Sequence, residues 1–247
     1  VGLMAWALAD RPEQLDAAIA ARPALISISF GPPESYVGRV RQAGIRVTAQ
    51  VGTVEEARRA EAAGVDLVVA RGAEGGGHGR GEVATLALLQ SVLDAVAVPV
   101  VAAGGIAGPR GLAAVLAAGA VGAWVGTALL GCTEAGTSAT ARRRLFDAAE
   151  TATAYGRVFD VAQGLRWPAE YGGRALRNAF FDAWHDRLDE LAENADAAEQ
   201  LRQARAAEDY DTAVIYAGEG VGLLRSERSV AEVLAEFGRA EDLLRRF

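Results

Sequence analysis

An α/β architecture built on a parallel sheet is what this sequence predicts, on three observations. Short apolar runs rich in Val, Ile and Ala recur through the first half of the chain. Segments of helical period, rich in Ala, Glu and Arg, alternate with them. The links are short, and several helical segments stop at Gly. Strands buried on both faces read as near-continuous apolar runs, and alternation of strand and helix feeds parallel pairing. A closed barrel and an open doubly wound sheet both satisfy this pattern.

In order, the predicted strands lie in VGLMAWAL (1–8), ALISISF (24–30), RVTAQVG (46–52), DLVVARG (66–72), VPVVAAGG (98–105) and GAWVGTALL (122–130). Between them, RPEQLDAAIAARP, SYVGRVRQAG, TVEEARRAEAAG, ATLALLQSVLDAV and PRGLAAVLAAGA read as helices. Thr53 with Glu56 three places on forms a capping box, and Pro109 suits a first helical turn. From Thr133 the chain becomes more charged and mostly helical in pattern. Residues 133–212 are expected as an inserted helical subdomain, with 213–247 holding a Gly-rich return segment and a last amphipathic helix. The preceding residues, 1–132, form the β/α part.

Composition bounds the function. The 247 residues are 51% hydrophobic and carry a formal net charge of −7, which argues against a nucleic-acid or polyanion surface. One cysteine, Cys132, leaves no intrachain disulfide and is expected as a small buried residue. No apolar run approaches the ~20 residues of a membrane span. The sequence predicts a soluble, cytoplasmic protein without a metal centre: His185 is distant from His78, and Cys132 has no partners at ligand spacing.

Two strand-to-helix turns carry the first functional signal. One strand ends in Ala103-Gly104-Gly105-Ile106 before a helix that opens near Pro109. About one repeat later another ends in Gly126-Thr127. Glycines let backbone N–H groups approach an anion, and a helix N-terminus adds partial positive charge. In β/α barrels a phosphate commonly sits after the seventh and eighth strands. Two such turns in succession favour a phosphate site over ordinary tight turns. If they follow strands seven and eight, only four predicted strands come before them. At roughly 30 residues per β/α unit, ~60 residues of a TIM-type (β/α)8 barrel are expected upstream of Val1. The expected fold is therefore that barrel, six of its eight strands in this chain. Its two open edges invite association into a homo-oligomer.

The second signal is GAEGGGHGR (72–80). So glycine-rich a loop is expected to serve ligand access rather than packing. In the inferred barrel it follows the sixth strand at the catalytic face, where His78 suits a general base. Gln50, ending RVTAQ on the same face, offers a carboxamide that donates and accepts towards a heterocycle. His185, in DAWHDRLDEL, is expected on a helix face with a structural or solvated role.

Together SFGPP (29–33), Gln50, GAEGGGHG (72–79), VPVVAAGGIAGPRGL (98–112), AWVGTALL (123–130) and YAGEGVGL (216–223) resemble the nitronate monooxygenase family, FMN-dependent TIM barrels. RVFD with GLRWPAEY (157–171) resembles its helical insertion. The resemblance implies oxidation of alkyl nitronates or nitroalkanes by O2 to a carbonyl compound and nitrite. It implies FMN held by Gly76, Gly77, Ala103, Gly104, Gly105, Gly126 and Thr127, the last four around the phosphate, with Gln50 near the isoalloxazine. His78 would take the α-proton of a neutral nitroalkane. Arg71 stands where the family often has Gln and is expected as a cation near the flavin N1/O2 edge. Glu219 also replaces a Gln, and its charge is expected to oppose an anionic reduced ring. Flavin-dependent enoyl-acyl-carrier-protein reductases share the Gly-Gly-His loop and the AAGGI turn. That activity and an inactive flavin-barrel fragment are the alternatives.

Overall fold

The computed structural model describes residues 1–245. The chain forms two compact units. The first comprises Val1–Ala73, Gly79–Ala103 and Ala114–Trp124, and the second Glu74–His78, Gly104–Ala113 and the described residues from Val125 onward.

The first unit is built on six parallel strands: β1 (Gly2–Met4), β2 (Leu25–Ser29), β3 (Arg46–Val51), β4 (Leu67–Arg71), β6 (Val100–Ala103) and β7 (Gly122–Trp124). They pair in that order, with β1 and β7 at the edges. Ile26, Ile28, Val47, Val68, Val69 and Ala102 are buried, as are Leu15, Val37, Val40, Leu88, Leu89 and Val92 on the helices. In β4, four of five residues are buried, so both faces are covered. This is the reason the strands appear in the sequence as apolar runs rather than as alternation.

The helices of this unit carry the expected stop and start signals. Thr53 caps Val54–Ala63, its side chain accepting from Glu56 N. The Glu56 carboxylate reaches back to Gly52 N at 2.7 Å and takes Arg80 Nε at 2.6 Å. Gly64 ends the same helix at φ +89°, a conformation that glycine adopts without steric cost.

Two of the apolar runs divide between strand and helix. VGLMAWAL becomes β1 followed by the helix Ala5–Leu8. GAWVGTALL becomes β7, then a break at Val125-Gly126, then the helix Thr127–Leu130. A short apolar run does not by itself distinguish a buried strand from a buried helical turn.

The second unit has a sheet of its own, ordered β5 (Gly77–Gly79), β9 (Gly172–Leu176), β8 (Thr153–Gly156). β8 and β9 pair antiparallel, Ala154 opposite Ala175. The segment 133–212 thus contains a strand pair as well as helices. The stretch from Arg174 to Tyr210 divides into the end of β9 and the helices Ala179–Trp184, Leu188–Ala192 and Ala195–Ala206. Its core packs Val158, Phe159, Phe180, Phe181, Leu191 and Leu201 together, with Trp184, Leu188 and Tyr216 against them. Removing one of these phenylalanine rings is expected to cost about 3–5 kcal/mol. A second cluster joins Leu145, Ile215, Ala217, Val221 and Leu224. It fixes the return segment 213–224, from which Tyr216 and Gly218 reach the site. Cys132 is buried, as its sequence position suggested. No helix among the described residues is long and apolar enough to cross a membrane.

Candidate active site

In the first unit, three of the expected cofactor residues stand at or near the C-terminal ends of adjacent parallel strands. Gln50 precedes the last residue of β3, its backbone N–H donating to Ser29 Oγ at 2.9 Å. Arg71 ends β4 and Ala103 ends β6, and the two are register partners. Ala103 O accepts from Gly72 N at 2.9 Å and from Thr85 Oγ1 at 3.3 Å. Phe30, just beyond β2, takes φ +63°, a strained value for a residue with a Cβ.

Arg71 is 4% exposed and turns beneath the glycine loop. Its Nη1 donates to Arg80 O at 3.3 Å, and a Cβ on Gly79 would lie 2.1 Å from that same nitrogen. Arg71 therefore props the loop from below, and Gly79 is glycine because the guanidinium needs the space.

The loop itself is neither free nor flexible. Gly77–Gly79 is strand β5, held in the three-stranded sheet of the second unit. Gly76 has a packing reason: a Cβ there would stand 2.5 Å from Gly218 N and 2.6 Å from Ala217 C. Glu74 O accepts from Glu219 N at 3.0 Å, tying the loop to the return segment. Gly77 differs, with φ +71° and nothing within 4 Å of a built Cβ. Of the two loop glycines assigned to the cofactor, Gly77 faces open space and Gly76 faces backbone.

His78 is clamped on most sides by groups of its own unit. Its Nε2 lies 2.8 Å from Asp160 Oδ1, with the two side chains 12% and 3% exposed. Trp167 stacks on the imidazole, ring centroids 3.8 Å apart and planes within 3°. Tyr216 packs at 5.2 Å with its ring tilted by 51°. Gly173 closes the Nε2–Cε1 edge, since a Cβ there would lie 3.5 Å from Nε2. Asp160 as acceptor fixes the tautomer with hydrogen on Nε2, so Nδ1 carries the lone pair. No hydrogen bond to Nδ1 is made by the described residues, which is the arrangement of a base with one open nitrogen. The Tyr216 hydroxyl donates to Asp160 Oδ1 at 3.5 Å. Burial, and then the Asp160 charge, push the Tyr216 phenol well above its ordinary value, so it remains a neutral donor.

The two phosphate-type turns also lie in this unit. Gly104 and Gly105 have φ +105° and +69°. Gly126 is N-cap of the helix Thr127–Leu130, and a Cβ on it would meet nothing within 4 Å. Thr127 Oγ1 accepts from Gly218 N at 2.9 Å, which leaves its hydroxyl hydrogen to donate elsewhere. A cavity of about 460 Å³ opens at Gly105, lined in part by Arg110, Arg228 and Arg239. The same cavity is lined by Glu236 and Asp242, and Arg228 pairs with Glu236, so its wall carries both signs of charge. Open glycine backbone and a helix start are what suit these turns to the phosphate end of FMN.

The segment 216–222 ties these parts together. Gly218 approaches Glu74 O, where a Cβ would lie at 2.4 Å, and Gly220 lies over Ala107 and Gly105. Glu219, expected to bring an uncompensated charge, pairs with Arg174 Nη1 at 3.2 Å. Arg174 Nη1 also donates to Thr153 Oγ1 at 3.1 Å. His185 lies at the C-cap of Ala179–Trp184, stacked on Phe181 and within 3.0 Å of Asp186 Oδ2. No group of His, Cys, Asp and Glu among the described residues is arranged to hold a metal ion.

Sequence reasoning named His78 but missed Asp160, Trp167 and Tyr216. A signal for Asp160 was available. In VFDVA (158–162) the carboxylate sits within an apolar run, where a buried charge needs a partner.

The six-stranded parallel sheet makes the first unit α/β in class, and the clamped histidine of the second is of the kind that enzymes use. The sequence model of the nitronate monooxygenase family matches residues 5–239. The chain belongs to the nitronate monooxygenase family, whose members are oxidoreductases. A nitronate monooxygenase of Pseudomonas aeruginosa is 37% identical over 91% of this chain, and this chain spans 65% of its length. Among solved structures, nitroalkane oxidase from Streptomyces ansochromogenes is 31% identical at a TM-score of 0.79, covering 95% of this chain and 70% of that one. FabK from Thermotoga maritima is 28% identical at a TM-score of 0.81, over 100% of this chain and 78% of that one.

Proposed function

We propose that this protein is an FMN-dependent nitronate monooxygenase that oxidises alkyl nitronates, and neutral nitroalkanes after deprotonation, to carbonyl compounds and nitrite with O2. The observation that carries the reading is the His78–Asp160 pair at 2.8 Å, buried among aromatic rings with Nδ1 left open. Bound FMN supplies the electron transfer between substrate and O2. Within the second unit, Gly104, Gly105, Gly126 and Thr127 would hold its phosphate and Gly77 would leave room for the cofactor. Arg71 acts through the loop it supports. The six-stranded sheet is read as part of a (β/α)8 barrel, with residues 133–212 inserted and 213–247 returning to it.

His78 Nδ1 takes the α-proton of a neutral nitroalkane, and the electron pair passes to the nitro group. Asp160 keeps hydrogen on Nε2 and stabilises the imidazolium that forms, as the aspartate of a catalytic triad does. A nitronate is already deprotonated and bypasses this step.

Purified protein supplied with FMN should turn yellow and release nitrite from nitronates. His78→Ala should lose turnover of neutral nitroalkanes far more than turnover of nitronates. Equal loss on both substrates would remove the base assignment. Rapid flavin reduction by NAD(P)H without nitrite release would favour the enoyl-acyl-carrier-protein reductase reading. Failure to take up FMN would favour an inactive barrel.

A further inference from the structure

Trp167 lies on a strap of chain that follows Asp160. The strap leaves the helix Val158–Ala162 and enters β9 at Gly172. Its start is tied to Asp160 itself, whose carbonyl accepts from Leu165 N at 2.9 Å. Its end is tied by Tyr155, whose hydroxyl accepts from Gly172 N at 2.9 Å. Between these anchors Leu165 and Arg166 are exposed, while Trp167 is drawn inward onto His78. One short stretch therefore delivers both the carboxylate at Nε2 and the indole on the ring face.

The stacking geometry is informative. Two neutral aromatic rings prefer an offset or tilted arrangement, because their quadrupoles repel face to face. A cation over an indole face is attracted by the same quadrupole. Centroids 3.8 Å apart with planes 3° from parallel lay the indole face on the imidazole, where a cation gains from that quadrupole. The arrangement thus suits the imidazolium, the state of His78 after it has accepted a proton.

We propose that Trp167 is a second positioning residue for the His78 base, stacking on the imidazolium as it forms and closing that ring face to water. The step is a proton transfer. The substrate C–H bond breaks, its proton bonds to Nδ1, and the electron pair moves onto the nitro group to give the nitronate. No electron leaves the substrate at this stage. The inference rests on His78 being the base, and its test separates the two ideas.

The chain has two histidines, so the imidazole proton signals of the flavin-free protein can be assigned with His78→Gln. A ring stacked beneath an indole shows upfield-shifted signals. Those of His78 should be upfield in the native protein, should move to ordinary positions in Trp167→Ala, and should move only part of the way in Trp167→Phe. In the FMN-loaded protein, the ratio of kcat on a neutral nitroalkane to kcat on its nitronate should fall about tenfold in Trp167→Ala, with KM little altered. Trp167→Phe should recover part of that ratio and provides the test if the alanine variant does not fold. An unshifted His78 signal in the native protein would overturn the proposal. A kcat ratio unchanged in Trp167→Ala but collapsed in His78→Gln would overturn it while leaving the base assignment standing. A ratio unchanged in His78→Gln would overturn both.

Discussion

The Asp160→Asn variant separates the role of the carboxylate in proton transfer from its role in holding the fold. Asn matches Asp in shape, so the helix Val158–Ala162 and its apolar neighbours need not move. What changes is the partner of His78 Nε2, now 2.8 Å from an anion in a pair whose side chains are 12% and 3% exposed. A hydrogen bond to a charged group contributes about 1.5–3 kcal/mol. At about 1.4 kcal/mol per tenfold in rate, loss of that stabilisation predicts a 10- to 100-fold fall in turnover of a neutral nitroalkane. If the amide nitrogen turns towards Nε2, hydrogen is forced onto Nδ1 and the base nitrogen is lost. The equivalent change in a protease triad costs about 10⁴-fold, which sets the upper limit. The assay is nitrite release from nitroethane and from its preformed nitronate, with flavin content matched. The nitroalkane should suffer and the nitronate much less. Asp160→Ala should additionally destabilise the second unit by about 1–3 kcal/mol, because it orphans the Nε2–H. Equal losses on both substrates in Asp160→Asn would refute the coupling of Asp160 to the base.

Three further predictions rest on the geometry of the second unit. Gly126 sits at φ −119° with open space around a built Cβ, so Gly126→Ala should change stability by no more than about 0.5 kcal/mol while weakening FMN binding at least about tenfold. Gly76→Ala should do the reverse, destabilising the flavin-free protein by about 1–3 kcal/mol because its Cβ would strike Gly218 N and Ala217 C; thermal melts and FMN titrations read both. The raised Tyr216 phenol predicts a pH effect whose sign follows from proton counting. The folded state keeps a proton that the unfolded chain releases above about pH 10, so this contribution is complete below that pH and is lost as pH rises towards the folded value. Denaturant titrations should show stability falling by at most about 1.4 kcal/mol per pH unit above pH 10, with a shallower fall in Tyr216→Phe; identical slopes would rule this out.

The parallel α/β class and the glycine turns that follow the strands were legible because both depend on local composition. A strand buried on both faces must be apolar throughout, and Gly104-Gly105 or Gly126-Thr127 at a strand end is visible within four residues. Ambiguity began where one local signal has two physical causes. Gly76 and Gly77 are adjacent and identical in type, yet one clears the backbone of Gly218 and the other faces open space. Only the position of a segment 140 residues away distinguishes them. β8 and β9 were illegible for a related reason: TAYG and GGRAL are short, glycine-containing segments, and their pairing rests on tertiary placement.

The base clamp marks the limit most clearly. His78 and Asp160 are 82 residues apart, and neither alone shows that the other fixes its tautomer. The same holds for Glu219, whose charge looked unfavourable until Arg174 was found 3.2 Å away. A turn that needs bare backbone leaves a trace in glycine spacing, because only one residue type meets the requirement. A clamp made of side chains leaves none, because Asp, Trp and Tyr each have many other uses in a protein. Even so, a carboxylate inside the apolar run VFDVA demands a partner on energetic grounds alone. With 25 basic residues in the chain besides His78 and His185, that demand establishes the need for a partner, and only the fold supplies its identity.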